Sequence, residues 1–379
     1  MKLTGRRITA FCLLFFTVLS TAPGQLLVDK KATAKTRALY GNLRILSQNG
    51  VLFGHQEDDA YGVGWRRQDG RSDVKAVCGS YPAVHGWDIG NEGQGTNVDS
   101  VRFEDIRRYI RDVYRRGGVN TISWHMDNPV TGADSWNQTP VVKDILPGGT
   151  GHAAYVRQLD IAARFLRRCR SGFTKIPIIF RPFHEHNGDW FWWGKGNCTE
   201  EEYIGLWRFT VDYLKNEKGL HHVIYAFSPD RSRLNLDSAD VSYLYAYPGD
   251  DYVDVIGLDN YMDVGVGWNQ KPVAEQTADL VKVLRAISRL ADEKNKIAAL
   301  TETGQEAITN TKWFTEVILN PLKQNPDINL AYFMVWRNAN KKHHYAPYPG
   351  HPSVNDFLRF YEDSYSLFES DLDDIYKPR

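Results

Sequence analysis

Short apolar runs rich in β-branched and aromatic residues recur at 51–55, 83–87, 120–125, 176–183, 223–228, 253–261, 296–301 and 331–336. Their length and composition predict buried strands. Between them lie longer segments, 103–116, 153–170, 200–216, 273–294 and 312–324, in which apolar positions return every three or four residues. That is the period of an amphipathic helix with one face on a core. Strands that alternate with helices predict parallel pairing through helical crossovers, and eight of them predict a closed (β/α)8 barrel, a TIM barrel, in a single domain. An open doubly wound sheet would carry a glycine-rich phosphate loop after an early strand; none stands there. No Ser/Gly linker, internal repeat or sharp change of composition divides the chain.

The N-terminus departs from this pattern. Lys2, Arg6 and Arg7 precede an apolar run at 8–19, which is followed by Ser20-Thr21-Ala22-Pro23-Gly24. The run is short for a membrane span, and a basic start, apolar centre and small-residue end read as a secretory signal over 1–24. The expected mature chain is 25–379, exported to the periplasm or secreted. With no cysteine at the cleavage point, no membrane anchor is expected after cleavage. Cys78, Cys169 and Cys198 follow, an odd number without metal-type spacing, and the sequence leaves their pairing open.

Composition narrows the partners. Lys+Arg 46 balances Asp+Glu 46, giving a formal net charge of zero, so no overall positive field points to nucleic acid. With 42% hydrophobic and 24% charged residues the chain is of ordinary globular type. The 11 Trp, 20 Tyr and 17 Phe are a heavy aromatic load, suited either to a large core or to rings that stack on the apolar faces of sugars.

Polar residues gather where the apolar runs end: His55-Gln56-Glu57-Asp58, His85-Gly86-Trp87-Asp88, Trp124-His125-Met126-Asp127, Arg181-Pro182-Phe183-His184-Glu185-His186, Asp259-Asn260-Tyr261, Thr301-Glu302-Thr303-Gly304 and Trp336-Arg337-Asn338. In a barrel these ends share the one face where active sites are built. Glu185 after the fourth run and Glu302 after the seventh would meet across that mouth. Two carboxyls about 5–5.5 Å apart are what a retaining glycosidase requires. Directly after Glu185, Trp190-Phe191-Trp192-Trp193 places four rings in succession. Consecutive side chains cannot all enter one core, so at least one ring is expected to face ligand or solvent. His55, Trp87, Asp88 and Trp136 stand at the same mouth as further subsite candidates, and the segment 338–353 could wall one end of a cleft.

These motifs, in this order and over essentially the whole mature chain, resemble glycoside hydrolase family 26, whose best represented activity is β-mannanase. The resemblance implies Glu185 as acid/base and Glu302 as nucleophile. It implies His184 as a residue that orients and tunes the acid, and Trp190 as a platform on the leaving-group side. His125, Asp259 and Tyr261 would contact the sugar whose bond is cleaved, with Trp336 and Arg337 lining its non-reducing side. The reaction would be a double displacement needing no cofactor or metal, on β-1,4-mannan, galactomannan, glucomannan or manno-oligosaccharides, by a monomer. Three alternatives stand beside it: a related β-glycanase acting on xylan or mixed-linkage glucan, a metal-dependent hydrolase using His184 and His186 with His55 and His125, and a non-catalytic carbohydrate-binding protein.

Overall fold

The computed structural model describes residues 27–378, so the signal expected at 1–24 lies outside the described residues. Eight parallel strands form the frame: β1 (Val51–Gln56), β2 (Val84–Asp88), β3 (Val119–Trp124), β4 (Ile178–Pro182), β5 (Val223–Phe227), β6 (Val255–Asn260), β7 (Ile297–Thr303) and β8 (Leu330–Val335). Each pairs with the next in chain order, and β8 returns to β1 with Leu52 opposite Tyr332 and His55 opposite Val335. The sheet is therefore closed, as the alternating pattern predicts. A two-residue strand, Ser366–Leu367, adds to the N-terminal end of β1.

Strand periodicity sorts the core into two layers. Leu52, Val84, Ile179, Ile224, Val255, Ala299 and Met334 fill the barrel interior with Tyr332. Phe53, Trp87, Ile122, Phe180, Tyr225 and Phe333 face outward into the helices. Across the closing β8–β1 seam Phe53 meets Phe333, Phe357, Phe360 and Phe368 at centroid distances of 5.1–5.8 Å.

The helices follow from local chemistry. Phe103–Arg116 carries Glu104 and Asp105 in its first turn and Arg115 and Arg116 in its last, matching the helix dipole, and stops at Gly117 with φ 97°. His152–Arg168 and Val273–Glu293 lie within two residues of their predicted bounds. The segment 200–216 instead forms an α-helix over Glu200–Asp212 and a π turn over Tyr213–Glu217. The segment 312–324 opens as a π turn, Phe314–Leu319, before Asn320–Gln324. There Pro321 lacks the amide that would bond four residues back, and its ring crowds that carbonyl, so the backbone widens ahead of it. Cys78, Cys169 and Cys198 are all unpaired thiols. Among the described residues no helix is long and apolar enough to cross a membrane.

Candidate active site

Beyond Pro182 at the end of β4 the chain turns sharply, with Phe183 (φ 49°) and Glu185 (φ 54°) both in the left-handed region. Non-glycine residues there cost about 1–3 kcal/mol each and persist where surrounding contacts over-determine them. Here the Glu185 amide donates to the Ser228 carbonyl at 2.8 Å, and the Glu185 carbonyl accepts from the Gly188 amide at 2.9 Å. The turn aims the Glu185 carboxyl inward, where Oε2 accepts from Trp190 Nε1 at 2.8 Å. Burial pushes this carboxyl well above the ordinary range, reinforced by the nearby charges of Asp259, Asp230 and Glu302. A shift in this direction favours the protonated form, which a general acid requires.

Glu302, the penultimate residue of β7, is held from two sides. Tyr261 donates to Oε2 at 3.0 Å, and the fully buried Arg181 of β4 donates through Nη2 to Oε1. Arg181 also donates through Nη1 to Asp259 Oδ2 at 2.6 Å and to Ser228 Oγ at 3.2 Å. Two donors on one carboxylate fix its direction. One carboxyl oxygen from each of Glu185, Asp259 and Glu302 lies within 4.8 Å of the other two, so the two glutamates face each other at close range.

Aromatic rings wall the mouth. His125 Nδ1 bonds Asp88 Oδ2 at 2.7 Å, and Asp88 is fixed in turn by Ser123 Oγ at 2.7 Å and the Gly90 amide at 2.6 Å. The His125 ring stacks with Trp136 at 5.2 Å and 15° and meets His184 edge-on at 4.6 Å. Trp136 is 52% exposed. On the other side Tyr261, Trp268, Glu302, Trp336, His343 and Tyr345 line a cavity of about 300 Å³. Arg337, one residue past Trp336, ion-pairs with Asp99 at 3.1 Å and is itself one-quarter exposed.

The structure thus brings Glu185, Glu302, His125, His184, Trp190, Tyr261 and Trp336 to one mouth, with Arg337 beside it. Of the four consecutive rings only Trp190 stays partly open. Phe191, Trp192 and Trp193 are buried, with Trp192 Nε1 donating to the Met126 carbonyl and Trp193 Nε1 to that of His184. Asp259 is fully buried, with its oxygens taken by Arg181, Ser228 and Thr301, and it braces Arg181 beneath the site. Trp87 is a correction, because strand alternation turns it outward to stack on Tyr109 at 5.7 Å and bond Asn120. Asp88 and His55 are also fully enclosed, Asp88 behind His125 and His55 against Asp58 at 2.8 Å.

The proposed histidine metal cluster does not form among the described residues. His184 packs on His125 and Phe191, whereas His186 turns away, stacks on Tyr203 at 4.5 Å and donates to the Tyr245 carbonyl. The segment 338–353 does reach the site. Asn338 accepts from the Tyr345 and Ala346 amides and folds the loop so that Tyr345 borders the cavity. The functional role of Arg181 and the place of Trp268 were not read from sequence. Arg181 stands inside a strand-end motif, but a buried arginine spanning two carboxylates needs the closed barrel to bring the ends of β4, β6 and β7 within reach of one another. Trp268 lies in a polar loop without periodicity.

A carboxyl pair facing across the mouth of a (β/α)8 barrel, under a wall of aromatic rings, is the architecture of a glycoside hydrolase. The sequence model of Glycosyl hydrolase family 26 matches residues 28–366, and the chain belongs to that family. A β-mannanase of the family from Bacteroides ovatus superposes with a TM-score of 0.84 at 41% identity, over 91% of this chain and 98% of that one. A modular endo-β-1,4-mannanase from Cellulomonas fimi superposes at 0.83 and 38% identity, over 92% of this chain and 79% of that one. A mannan endo-1,4-beta-mannosidase from Bifidobacterium adolescentis is 36% identical over 368 residues, 90% of this chain. This chain spans only 35% of the length of that relative.

Proposed function

We propose that the chain is a retaining β-mannanase that hydrolyses β-1,4-mannosidic bonds by double displacement. The observation that carries this reading is the close approach of Glu185 and Glu302, one carboxyl pushed up by burial and the other held by Tyr261 and Arg181. Glu302 attacks the anomeric carbon while Glu185 protonates the departing glycosidic oxygen. Water deprotonated by Glu185 then releases the glycosyl group from Glu302, so the anomeric configuration is retained through two oxocarbenium-like transition states. Trp190, bonded to Glu185, takes the leaving-group sugar on its open face. His125, His184 and Tyr261 surround the sugar being cleaved, and Trp336 with Arg337 receives its non-reducing neighbour.

Mannan is the substrate because the family relatives described above are named for it. The basic and apolar N-terminus supports export with cleavage after 1–24, leaving 25–379 as a catalytic domain that acts as a monomer.

The test is the product profile of the purified protein on linear mannan, galactomannan, glucan and xylan beside a Glu302→Gln control. Manno-oligosaccharides that vanish in the control support the reading. Release from glucan or xylan alone replaces the substrate, and no release from any of the four rejects it.

A further inference from the structure

At the opposite end of the barrel a short hairpin leads into β4. Arg170–Ser171 pairs antiparallel with Thr174–Lys175, and Gly172-Phe173 forms the two-residue turn. Phe173 is 103% exposed, the most exposed large apolar residue among those described. An isolated apolar residue on a surface needs no explanation, but this one stands at the tip of a projecting turn and its surroundings are unusual. The register sets Arg170 directly opposite Lys175, a like-charge cross-strand pair of the kind that destabilises a two-stranded ribbon.

Further cations converge on the hairpin from the flanking helices. Arg115 Nε donates to Ser171 Oγ at 3.4 Å, and Lys175 Nζ donates to the Arg167 carbonyl at 3.2 Å. Arg168 is exposed beside them. Against these stand Asp112, 3.7 Å from Arg115, and Glu92, a partly enclosed carboxylate in the field of Arg107, Arg164 and Arg168. Arg167, Arg168, Arg170 and Lys175 make no salt bridge among the described residues. Some surface arginines elsewhere, such as Arg285 with Asp327 and Arg289 with Asp240, are paired, whereas others, such as Arg66 and Arg157, make no salt bridge among the described residues, so it is the clustering here that sets the hairpin apart. On a chain of zero formal net charge, this is a local excess of positive charge around one projecting ring.

We propose that the hairpin is a docking surface for an anionic lipid bilayer, with Phe173 entering below the headgroups and Arg115, Arg167, Arg170 and Lys175 facing lipid phosphates. Charge complementarity selects an anionic partner. The projecting ring selects a partner with an apolar layer under its charge, since a hydrated polyanion offers Phe173 nothing to pack against. The placement suits the enzyme: the hairpin precedes the N-terminal end of β4 and Glu185 follows its C-terminal end, so a chain resting on this surface keeps its cleft open to polysaccharide. With one ring and a small basic patch the association is weak, reversible and salt-sensitive.

The test is co-sedimentation of the mature protein with vesicles of phosphatidylcholine alone and of phosphatidylcholine with about one-third phosphatidylglycerol, at low and high salt. Phe173→Ser and the pair Arg170→Glu with Lys175→Glu are run alongside, with melting temperature and polysaccharide hydrolysis as checks on the fold. The expected result is binding to the anionic vesicles only, loss at high salt, and a fall of about tenfold in partitioning for each variant with hydrolysis unchanged. If the charge-reversed pair does not fold, Phe173→Ser decides alone. Absence of binding to anionic vesicles, or equal binding by wild type and Phe173→Ser, overturns the proposal. So does retention on soluble heparin without vesicle binding, which would make the surface a polyanion site. None of these outcomes bears on the hydrolytic reading, which the control reaction reports separately.

Discussion

Arg181 carries more of the site than its place inside a strand suggests. Its guanidinium spans Asp259 and Glu302 with almost no solvent access, so truncation strands two carboxylates at once. Breaking a buried ion pair costs about 3–5 kcal/mol. We expect Arg181→Met to lower unfolding free energy by that order and to abolish turnover, read by urea titration and by hydrolysis of a soluble substrate. Tyr261→Phe is a milder probe, since it removes one donor to Glu302 and no packing. A hydrogen bond to a charged group is worth about 1.5–3 kcal/mol, so kcat should fall by roughly ten- to a hundredfold with KM and melting temperature little changed. At this scale the sequence announced both glutamates because each terminates an apolar run. It concealed the partners that govern them, because Arg181 and Asp259 meet only when three strands lie side by side.

Among the elements, the helix Glu200–Asp212 shows how local chemistry steadies the site. Thr199 accepts from the Glu202 amide while the Glu202 side chain accepts from the Thr199 amide, a reciprocal capping box. This helix begins where the aromatic loop after Glu185 ends. Thr199→Ala should cost about 1 kcal/mol, visible as a lowered urea midpoint with an unchanged slope. Strand and helix order was legible because periods of two and of three to four are written directly in the apolar positions. The misassigned Trp87 shows where that legibility stops. It sits one residue before Asp88, and a single step along a strand exchanges the mouth of the barrel for the helix layer. The π turns were equally hidden, since Pro321 reveals its effect only in a helix that has begun to form.

Over the whole molecule, a buried ionic clamp ties the first two strands to the C-terminal segment. His85 Nδ1 meets Asp59 at 2.6 Å, Arg116 pairs with both Asp59 (2.9 Å) and Glu369 (2.8 Å), and Glu369 lies 3.5 Å from His85 Nε2. Burial alone would lower the His85 pKa, but Asp59 and Glu369 raise it to about 9. A group raised on folding stabilises fully below its unfolded value, near 6.5, and loses that contribution as pH rises through about 9. Unfolding free energy should therefore decline between those limits, and His85→Gln should flatten the decline, as urea titrations across the range would show. Barrel closure was foreseen from eight strand-like runs. This clamp was not, because it joins residues more than 250 positions apart in a network without local pattern.

The most direct test of the central claim is to trap the covalent intermediate. A 2-deoxy-2-fluoro-mannosyl donor with a good leaving group slows both steps at the anomeric centre and lets the glycosyl-enzyme accumulate, and peptide mass spectrometry then locates the label. One glycosyl group per chain is expected, on Glu302, in a wild-type enzyme whose products keep the β configuration. Label on another residue, or inverted products with Glu302 unmodified, would contradict it.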